Sequence, residues 1–330
     1  MYFKNNNYDT EYRIKGINWF GMETICNVPH GLWIHDTEYY MDTMRNLQFN
    51  SIRIPFSYEN AINLDQKLYE PCILADPYIQ NFSIKEYIHH LFYHAKIRGM
   101  SILLDFHTDH GQIQPSPTSQ ISKMDSFNAW KIMLKEFGDY NNLIGIDIKN
   151  EPHGGITWVE WSKYVLEFIE FVGQNNPKYD GLFWVQGIED PSDDSAWGGS
   201  FSNLNTLLGI NPSLKIVFSP HVYGVSVRGD YYLNDNYDRW NRWFGYLKTY
   251  YNNLICIGEI GGWNVGNDYI WHQNILNYLL SNDITNFYYW SLNPDSKDTG
   301  GLLASDWTTI DQSKVDFCYN LQNNGTFIQF

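Results

Sequence analysis

Charge and cysteine are both scarce in this sequence. Lys, Arg, Asp and Glu make up only 18% of 330 residues, and acids outnumber bases 37 to 22. The net charge of -15, with no basic cluster to offset it, argues against nucleic acid or another polyanion as a partner. No stretch of about 18 apolar residues occurs, so no membrane span is expected. The opening MYFKNNNYDTEYRIKG has no apolar h-region, so no secretory signal is visible, and localisation stays open. The four cysteines (Cys26, Cys72, Cys256, Cys318) show no CxxC or Cys/His metal spacing. Cys256, in the apolar run LICIG, reads as a buried thiol. Cys26 and Cys72 fall in loops and pair only if those loops meet. No linker or low-complexity tract divides the chain, so one domain over 1–330 is expected; a monomer is expected too, though the sequence does not fix the oligomeric state. The Asn-rich opening NNNYD reads as a short exposed segment.

Aromatics, in contrast, reach 17%, with 13 Trp and 25 Tyr. That exceeds what packing alone asks for, and half-wet binding platforms suit these side chains. Eight β-rich runs recur, near 12–20, 50–56, 100–107, 143–150, 181–188, 214–221, 253–261 and 285–292. Helix-period segments stand between most of them, at 36–47, 83–98, 126–137, 157–172, 237–250 and 268–281. The connection 189–213 is rich in Gly, Ser and Asp, with only a weak helix around 200–208. Strands apolar on both sides and separated by helices imply a parallel sheet covered by helices. Eight such units suggest a closed (β/α)8 barrel over about 11–322. An open doubly wound sheet would carry a Gly-rich phosphate turn after its first strand, where NWFGMET stands instead.

Barrel enzymes place their chemistry at the C-terminal strand ends. Those ends carry Arg53, His107, Asn150 with Glu151, His221 with Tyr223, Glu259 and Trp290. Each alone has a structural explanation, as a satisfied core histidine, a paired arginine or a packed indole. Together on one face they fit hydrolysis of a glycosidic bond, one carboxyl protonating the leaving oxygen and one ionised. In KNEPHG, Pro152 is expected to push Glu151 toward extended geometry at the strand end.

The motifs GINWFGMET, HGLW, NSIRIPFS, LLDFH, NEPHG, WGG, HVYG, GEIGG and WSLNPDSKDTGGLL run in order from residue 16. In these the chain resembles glycoside hydrolase family 5, particularly bacterial-type endo-β-1,4-glucanases. The resemblance implies a (β/α)8 barrel, a β-glucan substrate, no cofactor and no metal, and a family that is usually secreted. It implies Glu151 as acid/base and Glu259 as nucleophile, with Arg53 and Tyr223 orienting and ionising Glu259. It implies Asn150 on the sugar 2-OH, His107 and His221 shaping the cleavage subsite, and Trp290 beneath the sugar there. Trp19 and Trp197 are expected to stack further glucosyl units. In a retaining enzyme the two carboxyls would lie about 5–5.5 Å apart. DFHTDHG, the Ile in GEIGG and the stretch 109–124 depart from the family pattern. The same residues leave open a β-mannanase of the same clan or a noncatalytic carbohydrate-binding barrel. The local group His107, Asp109, His110 leaves open a metal hydrolase.

Overall fold

The computed structural model describes residues 2–5, 8–108, 121–204, 214–233, 236–251 and 254–330. Two short strands, β1 (Tyr2–Asn5) and β2 (Tyr8–Glu11), pair antiparallel ahead of the main sheet. Asn5 pairs with Tyr8 in this ribbon, and Asn6 and Asn7 of the Asn-rich opening lie outside the described residues. The main sheet is parallel throughout. Its strands are β3 (Lys15–Asn18), β4 (Ser51–Ser57), β5 (Ser101–Thr108), β6 (Leu143–Asp147) and β7 (Leu182–Gln186). After them come β8 (Ile216–Ser219), β9 (His221–Tyr223), β10 (Leu254–Ile255), β11 (Ile257–Gly261) and β12 (Phe287–Tyr289).

These ten segments are eight barrel strands. The sixth is split into β8 and β9 at Pro220, which has no N–H to donate, and the seventh into β10 and β11 at Cys256. The order β10-β8-β7-β6-β5-β4-β3-β12-β11-β9 begins and ends on the same two barrel strands. The Cys256 N–H donates to Phe218 O at 2.9 Å and the Gly258 N–H to Pro220 O at 3.0 Å, so the ring closes as a (β/α)8 barrel. Nearly every strand residue is buried, as expected for a sheet covered on both faces.

Register sorts the barrel interior into layers. Gly16, Ser51 and Ser101 are level across β3, β4 and β5. A Cβ on Gly16 would lie 2.2 Å from the Tyr288 ring, so glycine is what lets that ring fill the interior. The Tyr288 hydroxyl meets Ser51 Oγ at 2.7 Å, and Ser101 links Ser51 to Tyr12. Further up, Asn18 is level with Arg53, and Asp105 with Asp147. The interior thus changes from aromatic and apolar to ionic toward the C-terminal ends.

Outside, α1 (Thr37–Asn46), α2 (Tyr58–Ile62), α3 (Ile84–Ile97), α4 (Lys123–Phe137) and α5 (Trp158–Asn175) pack on the sheet. Ser83 and Glu86 cap α3 reciprocally, as the Ser-x-x-Glu pattern predicts. Ser122 and Asp125 do the same for α4, which starts it three residues before the expected 126. The segment expected as one helix over 237–250 is broken by a π turn at Asn241–Gly245. There the Tyr278 hydroxyl donates to Asn241 and leaves no room for a Cβ at Gly245. Helices Asn267–Ser281 and Gln312–Leu321 complete the outer layer. The weak helix around 200–208 falls partly outside the described residues, and 201–204 form a turn. Among the described residues, no helix is long and apolar enough to cross a membrane.

The loops after β3 and β4 do meet. Asn60 Nδ2 donates to Asn27 Oδ1 at 2.8 Å, the Ala75 N–H donates to Leu32 O at 2.9 Å, and Cys26 and Cys72 form a disulfide between them. Cys256 and Cys318 are free, buried thiols.

Candidate active site

Arg53 organises the C-terminal mouth of the barrel. Its side chain is fully buried, and every guanidinium nitrogen is used. Nε donates to Asp147 at 3.0 Å. Nη1 donates to Asn18 at 2.9 Å and to Glu259 Oε1 at 2.7 Å. Nη2 lies 3.0 Å from both Asp105 and the Asn150 side-chain oxygen. Burial works against the guanidinium charge, but Asp105, Asp147 and Glu259 together raise its pKa, so it stays a cation. Burial raises the Asp105 and Asp147 carboxyls, with Arg53 opposing.

Glu259 sits in the middle of β11, level with His221 of β9, and is 3% exposed. Its Oε1 accepts from Arg53, and its Oε2 accepts from the Tyr223 hydroxyl at 2.5 Å. Burial raises its pKa, and Arg53, His107 and the Tyr223 hydrogen bond pull it back down. Glu151 has no such cation. Burial lifts its carboxyl well above the usual range, and the charge on Glu259 lifts it further. The two acids are therefore pushed apart, and Glu259 gives up its proton first.

His221 stands between them. Its Nδ1 is 3.0 Å from Glu151 Oε1 and 3.5 Å from Glu259 Oε2. Burial holds its pKa well below the ordinary imidazole value, so the ring is neutral. Nε2 has no hydrogen-bond partner among the described residues, which fits a tautomer with the proton on Nδ1. An oxygen of Glu151, an oxygen of Glu259 and a His221 nitrogen all lie within 4.8 Å of one another. This is the one group among the described residues with the spacing of a metal site. Both Glu259 oxygens already accept from Arg53 and Tyr223, so a cation there would crowd the guanidinium. Asp109 and His110, of the alternative metal group, lie outside the described residues.

Glu151 departs from expectation in its backbone. Its φ is +44°, in the left-handed region, not the extended geometry read from the following proline. Such a conformation costs on the order of 1–3 kcal/mol for a non-glycine residue. It holds because the Glu151 N–H donates to Gln186 Oε1 at 2.6 Å and the Glu151 carbonyl meets His153 Nδ1 at 2.6 Å. Gly198 closes the other side, at φ +68°, and a Cβ there would lie 3.3 Å from Glu151 Cγ. Asn150 is fixed by its N–H to Phe106 O and by Arg53 and Gln186 on its side-chain oxygen. Its amide nitrogen lies 3.4 Å from His107 Nε2, and His107 Nδ1 is 2.6 Å from Asp105.

Glu151, Glu259, Asn150, His107 and Tyr223 line one open cleft of about 590 Å³ with Trp290 and Trp197. The Trp290 ring lies nearly parallel to those of Phe20 and His107, at interplanar angles of 8° and 6°. Its N–H donates to Ser296 Oγ at 3.2 Å. Trp197 stacks on His153 at 3.7 Å, donates to Glu189 Oε1 at 3.1 Å and keeps 37% of its surface exposed. Trp19 does not join them. It is fully buried, packs against Tyr40 of α1 and donates its N–H to His30 O at 2.9 Å. The expectation that it stacks a sugar is corrected: Asn18 points inward to Arg53, so the next residue on the pleat points outward.

A family model described as cellulase, glycosyl hydrolase family 5, matches residues 8–296. The chain belongs to glycosyl hydrolase family 5. An endoglucanase of Paenibacillus polymyxa is 29% identical over 93% of this chain and 82% of its own length. The major extracellular endoglucanase of Xanthomonas campestris pv. campestris is 31% identical over 92% of this chain, which spans 66% of that protein. Among solved structures, an endocellulase of Pyrococcus horikoshii in complex with cellotetraose superposes with a TM-score of 0.87 at 29% identity, covering 96% of this chain and 94% of that one. The catalytic domain of the Xanthomonas enzyme gives 0.83 at 28% identity, with 96% of each chain covered. Membership makes the chain a glycoside hydrolase of the cellulase type.

Several functional neighbours in this family 5 site escaped the sequence reading. Asp105 and Asp147 lie inside the apolar runs LLDFH and GIDIK, and Gln186 ends FWVQ. The available signal was an ionisable residue two positions before a polar strand end, as Asp105 is before His107, because i and i+2 share a face. His153 and Glu189, which hold Trp197, sit in loops where sequence spacing carries no such signal.

Proposed function

We propose that this chain is a retaining endo-β-1,4-glucanase, acting as one catalytic domain and as a monomer on internal bonds of cellulose or related β-glucans. The observation that carries the reading is the carboxyl pair: oxygens within 4.8 Å of each other in opposite proton environments. That spacing leaves room for direct attack but not for an intervening water, as a retaining site requires. Glu259, ionised beside Arg53 and Tyr223, attacks the anomeric carbon. Glu151 gives its proton to the departing glycosidic oxygen. Its Oε1 accepts from His221, which leaves Oε2 to carry that proton. A covalent glycosyl-enzyme results. Glu151, now ionised, takes a proton from a water that attacks the same carbon, and Glu259 is released. Asn150 positions the sugar 2-OH, Trp290 floors the cleavage subsite and Trp197 stacks a further unit. The endoglucanase relatives support glucan over mannan.

Hydrolysis of a panel of β-glucans and mannans, with product sizing and anomer assignment by NMR, tests this. The expected result is a rapid fall in β-1,4-glucan viscosity with first-formed products in the β configuration. Preference for mannan removes the substrate assignment, and α-configured first products remove the double displacement.

A further inference from the structure

Glu23 takes no part in the mechanism above, yet it lines the same cleft. It sits in the loop after β3 and is 7% exposed. A carboxylate that deep normally needs partners. Its Oε2 accepts the Gly21 N–H at 2.7 Å, and its own backbone amide is near enough to favour its charge. No hydrogen bond reaches Oε1 from any other described residue. The acid thus has fewer donors than its burial calls for, and its free acceptor belongs to a wall of the cleft.

The place of that wall decides what would meet it. The leaving group must lie beside the acid/base Glu151, on the side of β6 and β7 where Trp197, His153 and Glu189 stand. The glycone must lie across Glu259 from it. That side is built by the ends of β3, β5 and β12, with Phe20, His107 and Trp290 as its nearly parallel rings. Glu23 lies in the loop that carries Phe20 and holds the Gly21 N–H beside that ring, so it belongs to this side. A pyranose laid on such rings presents its hydroxyls at its edge. A carboxylate oxygen without a donor suits one of them.

We infer that Glu23 is a glycone-binding residue that accepts a hydrogen bond from a hydroxyl of the non-reducing-side glucosyl chain. This rests on the retaining glucanase reading, because that reading fixes which side is the glycone. One hydrogen bond to a charged acceptor is worth about 10- to 100-fold in binding. Glu23 would thus select for an equatorial hydroxyl donor at one sugar position, and its removal would relax that selection.

The test uses the full chain and aryl β-cellobiosides, which fill the glycone side but place no sugar beyond Glu151. Glu23→Ala and Glu23→Gln are compared with wild type on the parent substrate and on its monodeoxy analogues. Glu23→Gln keeps an oxygen for the Gly21 N–H and controls for the loop. The expected result is a roughly 10- to 100-fold lower kcat/KM for Glu23→Ala on the parent, with one deoxy analogue that costs wild type as much and costs the variant nothing further. Unchanged kcat/KM in a folded Glu23→Ala, or independent losses at every deoxy position, overturns the assignment. A lower melting temperature in Glu23→Ala with normal turnover makes Glu23 a loop residue only. A wild-type chain inert on all β-glucans overturns the glucanase reading itself, which the active-variant outcomes leave standing.

Discussion

Replacing Cys26 and Cys72 together by serine should destabilise the chain by about 4 kcal/mol. The disulfide closes 46 residues. Loop-closure entropy for that length, lost from the unfolded chain, comes to about 4 kcal/mol at 25 °C. Both sulfurs are buried, so the double replacement avoids leaving one lone thiol in an apolar gap. An entropy of unfolding near 2.1 cal/mol/K per residue gives the chain about 0.7 kcal/mol/K, so the melting temperature should fall by about 6 °C. Calorimetry on oxidised wild type and on the double variant measures this. Thiol titration in denaturant provides the companion number: two reactive thiols, from Cys256 and Cys318, in the wild type. Four thiols would show that the bond does not form. Two thiols with a stability loss below about 1 kcal/mol would show that loop closure is not what the bond contributes. The bond also ties down the loop that carries Phe20 and Glu23, so kcat/KM on aryl cellobiosides should fall in the variant even well below its transition.

Tyr223→Phe removes a donor that stabilises ionised Glu259, so the pKa of Glu259 rises and the acidic limb of kcat/KM moves to higher pH. A limb that stays in place or moves down would mean that Glu259 is not the group that must be ionised. Trp197→Ala should lower kcat/KM on cellotetraose and longer chains by about 10-fold or more while sparing aryl cellobiosides, because Trp197 lines the cleft where the proposed mechanism puts the leaving group. Equal losses on both substrates would remove it from that side. Trp19→Ala should cost about 3–5 kcal/mol of stability, the usual cost of truncating a core Trp, with turnover in the folded fraction little changed. Equilibrium denaturation together with active-site titration separates the two effects.

The barrel was legible because its strands are buried on both faces and so appear as unbroken apolar runs of about the right length. The strand breaks at Pro220 and Cys256 were not, since they depend on pairing with neighbours. The π turn at Asn241–Gly245 was hidden for a similar reason: it answers to Tyr278, 37 residues from Asn241 in sequence. Start signals read better than ends, because a capping box is local. Ser122 and Asp125 were available to set the start of α4, where the apolar period alone pointed three residues late.

The contrast between Trp19 and Trp290 shows what composition and position leave undecided. Both indoles follow a barrel strand, and both stand beside residues of the mouth. Which one faces the cleft depends on parity along the strand, and parity is set by one inward contact. Asn18 reaches Arg53, so Trp19 turns out toward α1. Trp290 leaves β12 into the loop that carries Ser296, and its indole turns over the cleft. Arg53 therefore does more than ionise Glu259. By engaging Asn18, Asp105, Asp147, Asn150 and Glu259 at once, it fixes which face of four strands and of the turn after β6 points inward. The left-handed backbone at Glu151 follows from the same network. Asn150, held by Arg53, and the Glu151 N–H, held by Gln186, together leave the acid a single way to face Glu259 across His221.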